Sequence, residues 1–148
     1  MFILNVEGTI QRGGRWLIIE RSTKEDHAGG QLSLVGGKVE NEGFSKDLLE
    51  RTLKRELFEE VGIEVSANMN YLRSSSFVLP DGREVLDIVF HCVIERGEPF
   101  AKSPDEVEAV YWMSAEEIYA HPNAPIWLKE SIEKAERYVH SSTMMATD

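Results

Sequence analysis

The stretch Lys54–Ile63, KRELFEEVGI, places Glu56, Glu59 and Glu60 close together and ends on a glycine and an isoleucine. Leu49, Leu53, Leu57 and Val61 recur every four positions, the spacing of one apolar helix face. Gly62 stands where a helix closes with positive φ. The pattern predicts a helix over about residues 46–61. At about 100° per residue the three glutamates occupy a wedge of roughly 100° that adjoins the apolar stripe. The acids therefore border the core. Like charges at i, i+4 cost a few tenths of a kcal/mol on an open helix, and more as water is removed. Two readings follow. One is a solvated acidic face on which Arg55 pairs with Glu59. The other is a set of oxygen ligands for a divalent cation, Mg²⁺ or Mn²⁺.

Outward from this helix the chain alternates between strand and turn signals. Residues 2–11 and 15–22 read as strands joined at RGG, a hairpin turn. Residues 23–31 are polar and read as a loop. LSLVGG, 32–37, reads as one short strand ending in two glycines. Residues 71–79 and 85–95 read as strands around PDGRE, a hairpin with Pro80 in its turn. Residues 107–113 form another strand. Ser114 caps a short helix, and an amphipathic helix runs from Pro125 to about His140. The fold class this order supports is α+β. A single domain is expected over 1–140, with 141–148 a flexible tail.

The chain has 148 residues and a net charge of −10. So acidic a surface argues against nucleic acid and anionic membranes as partners. It also repels anionic small molecules unless a cation intervenes. The lone cysteine, Cys92, excludes an internal disulfide and suits a reducing compartment. The N-terminus has no basic leader and no apolar run reaches membrane-spanning length, so a soluble, cytoplasmic protein is expected. His27, His91, His121 and His140 show no metal-ligand spacing.

GGKVE followed by REL, EE and GI resembles the signature of the Nudix (MutT-like) hydrolases. That signature runs glycine, five residues, glutamate, seven residues, Arg-Glu-aliphatic, one residue, Glu-Glu, one residue, Gly-aliphatic. Arg55-Glu56-Leu57-Phe58-Glu59-Glu60-Val61-Gly62-Ile63 matches its second half at every fixed position. The spacing of the first half departs from it. Arg55 stands eighteen positions after Gly37, where the pattern has fourteen. The box glutamate then falls on Asp47 counted back from Arg55, or beside Glu42 counted forward from Gly37. An extra helical turn beginning near Ser45 would absorb the four residues and keep the later carboxylates in phase.

The resemblance implies a Nudix-type α/β/α sandwich with a mixed central sheet. It also implies Mg²⁺- or Mn²⁺-dependent hydrolysis of a nucleoside diphosphate linked to another group. A nucleoside triphosphate cleaved to the monophosphate and pyrophosphate is the leading expectation. ADP-ribose or nucleotide-sugar hydrolysis is the alternative, and a catalytically silent nucleotide-binding regulatory module is an alternative of another class. The implied metal ligands are Glu56, Glu59, Glu60 and the carbonyl of Gly36, with Gly36 and Gly37 forming a tight turn beside the metal. The implied catalytic residues are Glu59, Glu56 and Arg55, with Arg55 orienting a glutamate. The general base is sought first among Glu56 and Glu59, then among Asp105, Glu106 and Glu108. Arg21 and Lys38 are candidates to reach phosphate. Phe77, with Tyr71 and Trp127, is a candidate to stack on a base. Asn123 sits where MutT-type relatives place a base-reading asparagine; helix capping is its plainer role. The expected partner is a nucleotide, bound by a monomer or homodimer.

Overall fold

The computed structural model describes residues 1–25 and 28–146. In chain order the elements are β1 (Phe2–Arg12), β2 (Arg15–Arg21), β3 (Leu32–Ser33), β4 (Val35–Lys38), α1 (Leu48–Val61), β5 (Glu64–Val65), β6 (Asn70–Val78), β7 (Glu84–Cys92), β8 (Ile94–Arg96), β9 (Val107–Met113), α2 (Ala115–Ala120) and α3 (Ile126–Ala146). Among the described residues seven strands form one sheet, ordered β3-β2-β1-β7-β6, with β4 on β1 and β9 on β2. β1 runs parallel to β7 and antiparallel to β2 and β4, so the sheet is mixed. β5 and β8 form a separate small ladder.

Alternation along the strands divides the core in two. Val6 and Ile10 of β1 and Leu17 and Ile19 of β2 pack with Leu53, Leu57 and Val61 of α1 on one face. Trp16 and Ile18 of β2 pack with Ile118 of α2 and with Leu128, Ile132 and Ala135 of α3 on the other. The result is an α/β/α sandwich. Gly13 and Gly14 take positive φ in the β1–β2 hairpin, as a two-residue turn with right-handed twist requires. Ser114 accepts from the Glu117 N–H while the Glu117 carboxylate accepts from the Ser114 N–H, a complete capping box on α2.

Four expectations need correction. LSLVGG is two strands, because the chain changes partner at Leu34. Leu32 and Ser33 pair with β2, and Val35–Lys38 pair with residues 5–8 of β1. Gly36 and Gly37 therefore lie in a strand and form no turn; they permit close approach. A Cβ on Gly36 would collide with the Val6 carbonyl oxygen, and one on Gly37 would collide with the Glu56 carboxyl group. Third, the four extra residues add no helical turn. α1 starts at Leu48, and Asp47 before it is left-handed (φ 53°) without a side-chain cap bond. The insertion is a loop, turned where the Asn41 side chain accepts from the Gly43 N–H. Fourth, α3 continues past His140 to Ala146, through residues read as a tail. His27, Thr147 and Asp148 lie outside the described residues.

Gly36→Ala should cost at least ~3 kcal/mol, since β1 backbone cannot yield as a side chain would. Gly43, at positive φ but with open space around its Cβ direction, should cost only about 1 kcal/mol as alanine. Thermal denaturation of the two variants checks the ordering, and equal losses would contradict it.

Candidate active site

Helix α1 carries its acids on two flanks. Leu53, Leu57, Glu60 and Val61 are all buried, so Glu60 occupies a core position of the helix. It is 7% exposed. Glu56, one turn earlier, lies on the same side under Gly37. The chain after β8 then folds back across the helix C-terminus. Phe100 N–H donates to the Val61 carbonyl and Lys102 N–H to that of Glu60. The Ser22 N–H donates to the Glu106 carbonyl, fixing Glu106 beside the end of β2. One carboxylate oxygen from each of Glu56, Glu60 and Glu106 consequently lies within 4.8 Å of the others.

These three acids line a cavity of about 370 Å³ with Glu7, Arg21, Glu25, Gly36, Gly37, Lys38, Glu40 and Arg55 among its walls. Burial pushes the Glu60 carboxyl up to about 9, with Glu106 and then Glu56 adding to the effect and Arg21 opposing it. Glu60 Oε2 is buried and has no hydrogen-bond partner. Glu56 is raised too, by burial first and by Glu59, against the lowering effect of Arg55. Glu7 is raised well above its ordinary range by burial and by Asp87 beside it. A group of hard oxygen donors, with one buried oxygen unpartnered and with Glu7, Glu56 and Glu60 held partly against ionisation, fits Mg²⁺ or Mn²⁺ in chemistry and in charge.

A second cavity, of about 270 Å³, adjoins the first and shares Asn5, Glu7, Arg21 and Lys38 with it. Its remaining walls include Ile3, Gln31, Ser33, Leu79, Val85 and Asp87, with Phe77 and Trp127. Those two rings are nearly parallel, at 14° and 6.3 Å between centroids. The two cavities form one cleft, acidic at one end and largely apolar at the other.

The NUDIX domain model matches residues 4–135. The chain belongs to the NUDIX family. It is 31% identical over 122 residues to the CTP pyrophosphohydrolase of Escherichia coli (strain K12), covering 81% of this chain and 82% of that protein. Its fold is similar to a MutT NUDIX hydrolase from Burkholderia pseudomallei, with TM-score 0.77, 25% identity and coverage of 90% of this chain and 98% of that one. It is similar also to a MutT protein from Methanosarcina mazei Go1, with TM-score 0.75, 23% identity and coverage of 93% and 94%. The α+β sandwich with a mixed sheet is thus the Nudix fold, and the chain is a Nudix hydrolase.

Within this Nudix site the sequence-predicted residues divide. Glu56, Glu60, Gly36, Arg55, Arg21 and Lys38 all line the acidic cavity, and Phe77 lines the apolar one. Glu59 is not brought into the three-acid group. Its side chain is 57% exposed and pairs with Arg55 at 3.8 Å. The reason is helical: residue 59 lies about 100° around the axis from residue 60, on the more exposed flank. Glu106, weighed only as a base, takes the third place instead. Asp105 points away, to Lys24 at 3.1 Å. Asn123 lines neither cavity; its N–H donates to the His121 ring and its carbonyl accepts from Leu32 N–H. Arg55 reaches Glu56 at 3.5 Å and Glu42 at 3.9 Å, and Glu42 also pairs with Arg51 at 2.7 Å. Glu42, rather than the exposed Asp47 at the helix start, is the loop acid whose side chain pairs with arginines of α1.

Because the Glu60 value is raised on folding, the unfolded chain loses its proton first. Below about pH 4.5 both states are protonated and the stability contribution is fully present. It falls as pH rises toward about 9, where the folded state ionises too. Metal-free protein should therefore melt at progressively lower temperature across that window, and Glu60→Gln should flatten the slope. Mn²⁺ should raise Tm increasingly with pH. Scanning calorimetry in chelator and in Mn²⁺ checks this; an unchanged slope in Glu60→Gln would refute it.

Proposed function

We propose that the protein hydrolyses a nucleoside triphosphate to the monophosphate and pyrophosphate, using Mg²⁺ or Mn²⁺ held by Glu56, Glu60 and Glu106. The observation that carries the reading is the unpartnered, buried Glu60 oxygen inside a three-acid group, placed beside Arg21, Lys38 and Arg55 in one cleft. Gly36 belongs to the same wall, and its carbonyl is proposed as a neutral ligand beside the carboxylates. The cation, once bound, supplies charge neutralisation for the polyphosphate and acidifies water.

The chain's own residues supply the rest. Arg21 and Lys38 line both cavities and attract the phosphates where the two meet. Arg55 holds Glu56 and Glu59 in place by ion pairs. Glu59, open to solvent beside Glu56, takes the proton of the attacking water. The water oxygen bonds to phosphorus, the bridging P–O bond breaks, and pyrophosphate leaves with the bond electrons. The base enters the apolar cavity over Phe77. The reading includes a cytoplasmic setting and a monomer or homodimer. CTP, the substrate named for the curated relative, is the first nucleotide to assay, and ADP-ribose and a nucleotide sugar test the alternative reaction.

Turnover should require Mg²⁺ or Mn²⁺ and yield pyrophosphate, measured by ³¹P NMR in ¹⁸O-water. Glu56→Gln, Glu60→Gln and Glu106→Gln should each lower kcat/KM by about a hundredfold or more, as loss of several kcal/mol of transition-state stabilisation requires. Nucleotide binding without turnover in the unmodified protein would instead establish a silent binding module. Preferred cleavage of ADP-ribose would replace the triphosphate reading.

A further inference from the structure

Two buried side-chain atoms among the described residues lack a hydrogen-bond partner, Glu60 Oε2 and Gln31 Oε1. They belong to residues on opposite ends of the cleft. Glu60 lines the acidic cavity and Gln31 the apolar one. The Gln31 backbone is secured: its N–H donates to the Ala28 carbonyl at 3.2 Å, and its carbonyl accepts from Arg21 N–H at 2.9 Å. Its side-chain oxygen is not. A buried amide oxygen without a donor is costly, and the apolar cavity beside it is where a planar ligand would arrive.

The neighbouring polar groups fix what kind of ligand edge fits. The Asn5 Nδ2 already donates to Asp87 Oδ1 at 2.7 Å. The Ser33 hydroxyl already donates to the Leu34 carbonyl at 2.9 Å. What these side chains retain is acceptor capacity: Asn5 Oδ1, Ser33 Oγ and, on Asp87, the lone pairs left by Asn5 and by the hydrogen bond it shares with Glu7. Arg83 is engaged by Asp81 at 2.6 Å, and Arg21 and Lys38 stand at the junction with the acidic cavity. The interior polar wall is therefore rich in acceptors. Gln31 alone could turn its amide to suit either kind of edge; the acceptors around it decide which edge is welcome.

We propose that the Asn5, Gln31, Ser33 and Asp87 wall selects nucleotides whose base carries an exocyclic amino group, with Gln31 as the residue that sets the selection. An amino group brings two N–H donors to lone pairs that have none. The oxo group of the corresponding keto base brings lone pairs against lone pairs. Phe77 and Trp127 supply a π surface that any base can use, so they add affinity without choosing. The inference rests on the triphosphate reading above and specifies its substrate.

The test compares twins that differ only at that group: CTP with UTP, and ATP with ITP. Using pairs separates amino recognition from ring size. At least one amino nucleotide should exceed its oxo twin in kcat/KM by about tenfold or more. Gln31→Leu should reduce that ratio by about tenfold, with the loss in KM more than in kcat. Gln31→Glu, which keeps an acceptor, should hold the ratio within about threefold. Oxo twins turned over equally or better would overturn the inference, as would a ratio unchanged in Gln31→Leu or lost equally in both variants. In those cases hydrolysis itself continues and the enzyme reading stands. No turnover of any of the four with Mg²⁺ present would remove the triphosphate reading, and this inference with it.

Discussion

Burial of the Glu60 carboxyl among other acids is the constraint around which this protein is arranged. Leu53, Leu57 and Val61 anchor α1 in the core, and the same face of the helix carries residue 60 inward with them. An apolar residue there would pack without penalty. The acid stays because the surrounding backbone is fixed on all sides: Gly62 closes the helix with positive φ, Lys102 N–H binds the Glu60 carbonyl, and β4 passes so near that only glycine fits against Glu56. The site is thereby preorganised, its acids held together before any counter-charge arrives. The fold tolerates this at some expense of stability, which a bound cation returns by mass action.

β1 connects that constraint to the rest of the cleft. Its pairing with β4 sets the glycines, while its parallel pairing with β7 sets Asn5 opposite Asp87. Alternation then does the sorting. Val6 and Ile10 go to the α1 core, and Asn5 and Glu7 go to the cleft. A one-residue slip of β1 would exchange these sets and place the Asn5 amide and the Glu7 carboxylate against Leu53 and Leu57. The strand that builds the core is thus also the wall between the acidic and apolar cavities, so neither can shift without the other.

Much of this was legible in the sequence because it is encoded locally. The four-residue leucine period and Gly62 fix α1, glycines and Asp-Gly mark the hairpins, and Ser114 with Glu117 announces α2. The strand at Val107–Met113 matches its expected bounds. What the sequence hid depends on contacts distant along the chain. Nothing in LSLVGG signals that it leaves β2 for β1. Nothing in REL–EE tells which glutamate flank will be covered, because the cover comes from residues 97–106. Glu106 was visible only as one of several loop acids; its backbone bond to Ser22, which places it, has no sequence signature. The insertion before α1 was misread because four residues suit a helical turn, whereas Gly43 and Asp47 take left-handed conformations that no helix interior accepts.

The arrangement of opposite charges shows how so acidic a chain, at −10 overall, can present a surface for anions. Arg21 moderates both buried acids, lowering Glu7 and Glu60 against the effect of burial. It also lines both cavities, as does Lys38. Arg21, so placed, performs two tasks that pull in opposite directions. It stabilises the carboxylates when the cleft holds no divalent ion, and it attracts phosphate, with Lys38, once such an ion has taken over those carboxylates. Removing Arg21 would therefore weaken the metal-free acids and the anion attraction together, whereas a cation lying wholly in the apolar cavity would serve only the second task. Placing these two cations at the junction, rather than at either end, lets the last residues of β2 and β4 serve metal site and polyphosphate alike, and leaves the aromatic pair Phe77 and Trp127 to receive a base.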